Sequence, residues 1–170
     1  MFKKQPKIDV KPTDKDRKII QIGWLLLMVN FILVFAFYFK LPDTIPIHFN
    51  VKGEADGFGS RSSLWLTPSI SALTYLLMVT IIKNMKPWNF NYPTKVTEKN
   101  APELYRMALQ MMVWLNFGIV VMFLVITLEI ILKALRYDGI SLGSSFIGLI
   151  AIITLLPLWY SYKMIKVPKE

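Results

Sequence analysis

The chain has 170 residues, 54% of them hydrophobic, with a net charge of +9, one histidine and no cysteine. The apolar share exceeds that of an ordinary soluble domain, and the lack of cysteine excludes disulfides, thiolate metal sites and a cysteine nucleophile. The basic residues form no stripe or motif of the kind that reads RNA or DNA, so no nucleic-acid partner is expected.

Residues 1–18, "MFKKQPKIDVKPTDKDRK", read as a mobile basic tail. From Ile19 to Phe39 there are 21 residues without a charge; as a helix they span about 31 Å, close to the thickness of a bilayer's hydrocarbon core. This run is too long for the apolar part of a cleaved signal, and it ends in "FAFYFK" where a signal peptidase needs small residues, so it is expected to remain as an anchor. Three further runs follow: Leu64 to Ile82, Met107 to Leu132 with the single charge of Glu129, and Gly139 to Tyr162. Such runs predict an all-α integral membrane protein, because a helix pairs its own backbone amides in lipid. The expected helices cover about 19–39, 63–82, 101–135 and 140–162, within a membrane domain of residues 19–162, followed by a tail over 163–170. The sequence "NAPE" at 100–103 predicts an N-cap at Asn100, and Asp138-Gly139 a tight turn between helices three and four.

The charges assign sides. Residues 1–18, 83–106 and 163–170 hold fifteen of the twenty Lys and Arg, against five in the two connections at 40–62 and 133–138. The positive-inside rule therefore predicts a multi-pass protein of the bacterial cell membrane, with both termini cytoplasmic and the 40–62 loop outside. Aromatic residues at 35–39, Trp65, Trp88, Trp159, Tyr160 and Tyr162 stand where interfacial anchors are expected. Thr67, Ser71 and Thr74 on helix two, and Ser144, Gly148 and Ala151 on helix four, predict close-packed seams. Asn30, Gln110 and Asn116 read as interhelical hydrogen-bond partners.

The 23-residue loop 40–62 is longer than a helix hairpin needs and predicts structure of its own. Ile45, Ile47, Phe49 and Val51 alternate with Pro46, His48, Asn50 and Lys52, the period of a strand with one apolar face. His48 and Asn50 would then point together, away from that face. Gly53 and Gly57 bracket a turn, "EAD".

This stretch, "LPDTIPIHFNVKGEADGFGSR", resembles the outer-loop motif of a family of uncharacterised bacterial membrane proteins whose domain also forms the N-terminal part of SdpI-type toxin-immunity and signalling proteins. The resemblance rests on Pro42, Ile45, Pro46, His48, Phe49 and Asn50, then Gly53, Asp56, Gly57 and Arg61. It implies a bacterial membrane protein with this loop outside.

The loop-structuring or ligand-binding candidates are thus Pro42, Pro46, His48, Asn50, Gly53, Asp56, Gly57 and Arg61. Glu129, the one acid within an apolar run, is a supporting candidate, read either as a solvated pair with Lys133 or as a partner of His48 or Arg61. His48, Glu54 and Asp56 are chemically suitable metal ligands, but acids six and eight residues after one histidine match no standard spacing. No Ser-His-acid constellation is evident. The expected role is non-enzymatic, without a cofactor: recognition of an extracellular peptide or envelope component, in toxin immunity or signalling. The alternatives are a small transporter or an accessory subunit bound to another membrane protein, and then a metal-dependent membrane hydrolase.

Overall fold

The structure, a computed structural model, describes residues 5–50, 53–137 and 143–169. It is mostly helical. Helix α1 (Asp14–Phe37) leads into a two-stranded antiparallel hairpin, β1 (Thr44–Phe49) and β2 (Ala55–Ser60). A 3-10 turn over Arg61–Trp65 enters α2 (Leu66–Lys83), and α3 (Ala101–Ala134) and α4 (Gly143–Ile165) complete the bundle. Among the described residues, four helical segments are long and apolar enough to cross a membrane: Asp14–Lys40, Arg61–Lys83, Ala101–Ala134 and Phe146–Ile165. Their outward surfaces fit lipid as solvent, with Leu25, Phe35, Leu73, Ile152 and Leu158 all exposed.

The hairpin departs from the all-α expectation. The alternating run at 45–50 and the glycines at 53, 57 and 59 suit extended chain and a turn, whereas a helix there would have put Pro46 in its interior.

The bundle is layered. At the hairpin end Val34, Leu41, Ile45, Leu64, Ile130 and Ile131 form one buried cluster, which fastens the base of the hairpin to the helices. Leu27, Tyr75, Val79 and Val120 form the next, and Ile19, Ile82, Leu109 and Val113 a third. Close approach of α1 and α2 depends on Gly23, where a Cβ would lie 2.8 Å from the Tyr75 ring, whose hydroxyl donates to the Ile20 carbonyl. Buried Thr67 and Thr127 join α2 to α3 through a 2.7 Å hydroxyl contact.

The two expected seams differ from each other. Thr67 and Ser71 are buried, but Gly148 and Ala151 on α4 are exposed, and a Cβ on Gly148 would meet nothing within 4 Å. Helix α4 lies against α3 on one side, where a Cβ on Gly118 would come within 3.1 Å of Ile153, and its small residues face outward. The side chain of Ser144 and the turn expected at Asp138-Gly139 lie outside the described residues.

The opposite end holds a second cluster of structure. Residues 5–13, expected as a mobile tail, are docked along α3: the Tyr105 hydroxyl donates to the Pro6 carbonyl at 2.8 Å, and Gln5 donates to the Phe90 carbonyl at 2.9 Å. Ile8 and Val10 pack with Leu104, Tyr105, Met164 and Val167. Helix α1 starts at Asp14, five residues before the expected start, and Thr13 caps it in a capping box with Asp16. Asp16 is buried and paired with Arg106, which also donates to the Lys11 carbonyl at 3.2 Å. At 34 residues α3 is about 51 Å long, so its first turns overhang a hydrocarbon core and give this strap its platform. Helix α3 does begin at Ala101, yet Asn100 makes no side-chain cap. Its carboxamide instead accepts from the Thr97 amide and donates to the carbonyls of Lys95 and Pro168, tying the loop to the C-terminal segment.

Candidate functional site at the hairpin

The hairpin is not a plain alternating pair. Pro46 faces Phe58, His48 faces Gly57, and Phe49 faces Ala55, so Ile47 on β1 and Asp56 on β2 are each one residue in excess. Such bulges re-aim side chains. Ile45 and Pro46 are both buried while Ile47 is half exposed, which breaks the single apolar face expected from the sequence. His48 and Asn50 border the same cavity as Ile47 and Phe49, so the polar and apolar sets expected on opposite faces are not kept apart there. Val51 and Lys52 lie outside the described residues.

Glycine makes this arrangement possible. A Cβ on Gly57 would lie 2.8 Å from the His48 Cβ, and one on Gly59 would lie 2.8 Å from the Ile47 Cδ1, so both β1 side chains cross β2 where it lacks side chains. Gly53 has φ 78°, a left-handed turn conformation that favours glycine. Asn50 closes the turn: its amide donates to the Glu54 carbonyl at 2.9 Å, its carboxamide donates to the Glu54 carboxylate at 2.8 Å and accepts from the Glu54 amide at 3.1 Å.

The candidates fall into three groups. His48 Nδ1 lies 2.5 Å from Asp56 Oδ1, with the two side chains 71% and 46% exposed. Glu54 is engaged by Asn50 and does not join them, and among the described residues no three His, Asp or Glu converge as a metal site would require. Arg61 staples the hairpin base, donating to the Leu41 carbonyl at 2.9 Å, pairing with Asp43 at 3.2 Å and lying 5.1 Å from the Tyr38 ring centroid. Pro42 is exposed between these partners, and Pro46 is buried in β1.

Beneath the hairpin is a cavity of about 420 Å³, within the range of small-molecule sites. Its roof is Ile47, His48, Phe49, Asn50 and Gly53. Val125, Ile126, Glu129 and Ile130 of α3 form one wall; Phe146, Ile147 and Ile150 of α4 form the other. Glu129 is only 6% exposed, so it is a buried acid facing this cavity rather than a solvated partner of Lys133 at the surface. Arg61 is not among the lining residues, whereas His48 and Glu129 border the same space. The α4 wall and Gly59 escaped the sequence reasoning: apolar residues on a spanning helix carry no mark that separates a cavity wall from a lipid-facing surface.

Residues 25–72, from mid-α1 through the hairpin into α2, match a family model described as a domain of unknown function, DUF1648. An uncharacterized protein of the archaeon Archaeoglobus fulgidus is 27% identical over 93 residues, covering 55% of this chain and 49% of that protein. The matched region therefore spans about half the length of that relative. No solved structure matches.

Proposed function

We propose that the chain is a multi-pass protein of the cell membrane, with both termini cytoplasmic, whose outer hairpin recognises an envelope component or extracellular peptide without catalysing its conversion. The observation that carries this reading is the cavity under the hairpin, apolar along α3 and α4 and polar at His48, Asn50 and Glu129. Such a lining suits an amphipathic ligand whose apolar part is buried and whose polar part meets the hairpin. Strand addition by an extended peptide is disfavoured on the cavity side, because Pro46 lacks an amide donor and the Ile47 bulge interrupts the edge of β1. Sidedness is supported by the excess of Lys and Arg at the end of the bundle that holds both termini. The resemblance of the loop to SdpI-type proteins favours toxin immunity or signalling as the setting.

The test is complementation of a deletion strain challenged with membrane-active peptides. Wild type should restore tolerance, and Ile126→Trp, which fills the cavity, should lose it while still reaching the membrane in normal amount. Full tolerance in the filled variant sinks the reading. A second reading, an accessory subunit, is favoured by the outward small-residue face of α4 at Gly148 and Ala151. It predicts a stable membrane-protein partner that co-purifies with wild type and is lost in Gly148→Leu.

A further inference from the structure

Between the apolar cluster at the hairpin end and the next one along, the bundle holds a polar layer. Leu27, Tyr75 and Val120 pack on one side of it, and Val34, Leu64 and Ile130 on the other. Asn30 of α1 falls between Leu27 and Val34, Thr67 and Ser71 of α2 between Leu64 and Tyr75, and Thr127 of α3 between Val120 and Ile130. All four are buried.

The donors and acceptors of this layer do not balance internally. Neither Asn30 Nδ2, Asn30 Oδ1 nor Ser71 Oγ has a hydrogen-bond partner among the described residues, so the interhelical amide bond expected of Asn30 is not made. Rotating the Asn30 amide changes nothing, because both of its polar atoms are unmatched. The threonines add a second imbalance. Thr67 Oγ1 lies 2.9 Å from the Leu64 carbonyl, Thr127 Oγ1 lies 2.9 Å from the Phe123 carbonyl, and the two oxygens lie 2.7 Å apart. Three hydrogen bonds would need three protons, and two hydroxyls supply two.

An uncompensated carboxamide in hydrocarbon is strongly disfavoured, because neither water nor lipid replaces its hydrogen bonds. An occupant that both donates and accepts removes that cost for the amide and the hydroxyls together. We infer that this layer binds water inside the membrane-spanning bundle, bridging the Asn30 carboxamide to the Ser71 hydroxyl and the Thr67–Thr127 pair. Those groups supply the two to four polar partners that a buried water requires. Water suits the layer better than a metal cation: the four side chains are neutral, and no carboxylate among them balances the charge of an ion.

The inference is independent of what the hairpin recognises. It is tested on the full chain in lipid bilayers, labelled with nitrogen-15 at asparagine and valine, by water-edited solid-state NMR. The Asn30 side-chain signal is identified by its loss in Asn30→Leu. Magnetisation from water should reach Asn30 Nδ2 severalfold faster than it reaches the backbone amides of Val34 and Val120, and Ser71→Ala should slow that transfer. Build-up at Asn30 no faster than at those two valines overturns the inference. So does an Asn30 shift that follows sodium or potassium concentration at constant ionic strength, since that result assigns a cation instead.

Discussion

His48 and Asp56 form the shortest described polar contact of the hairpin, yet both are well exposed, and a polar pair so exposed is worth at most about 1 kcal/mol. The glycines matter more to its shape. Gly57→Ala drives a methyl against the His48 Cβ, a stem atom that cannot swing away, and should destabilise the hairpin by about 1–3 kcal/mol, whereas Asp56→Ala should cost less. Amide hydrogen exchange across β1 and β2 checks this: equal protection in the two variants contradicts it. At Gly53, replacement by alanine imposes a left-handed conformation on a residue with a Cβ, at about 1–2 kcal/mol. The motif residues were readable in the sequence as a group because their types, a lone histidine among glycines and acids, are rare in such a chain. Their partners were not. Nothing in the spacing says that Glu54 answers Asn50 while Asp56 answers His48; that sorting follows from two bulges, and bulges leave no periodic trace.

Among the elements, the helices followed directly from apolar runs, since length and freedom from charge are what lipid demands of a span. The hairpin was foreseen as a strand and turn, but its alternation misled at Ile47, where one excess residue breaks the period of two. The strap over residues 5–13 was missed because its anchors, the Pro6 carbonyl, Thr13 and Asp16, act through contacts distant in sequence. Arg106→Leu leaves the buried Asp16 without its cation, although Thr13 still donates to it, and should destabilise the protein on the order of 3 kcal/mol. Asp16→Leu combined with Arg106→Leu should recover much of that loss, as read by thermal unfolding in detergent. Between α2 and α3, Thr127→Val removes the hydroxyl contact to Thr67 and should cost about 0.6–1.7 kcal/mol. A larger loss in that variant than in Arg106→Leu would reverse the ranking drawn here.

For the molecule as a whole, the decisive prediction concerns sidedness. The chain has no cysteine, so a single Phe58→Cys on the exposed surface of β2 gives one unambiguous label, at a side chain that is 62% exposed. An impermeant maleimide should modify it on intact cells, while Lys11→Cys on the strap should react only after lysis; the opposite pattern inverts the proposed orientation. The strap also brings the segments before α1 and after α4 together, with Ile8 and Val10 packed in one cluster with Met164 and Val167. The architecture therefore suits circular permutation: a short linker could join the segment after α4 to the strap, and reopening the chain within residues 84–100 would keep the new ends on their original side of the bilayer. In such a rewired polypeptide α3 would be the first helix made and α2 the last, so the present order of synthesis is one of several that this arrangement of helices can accommodate.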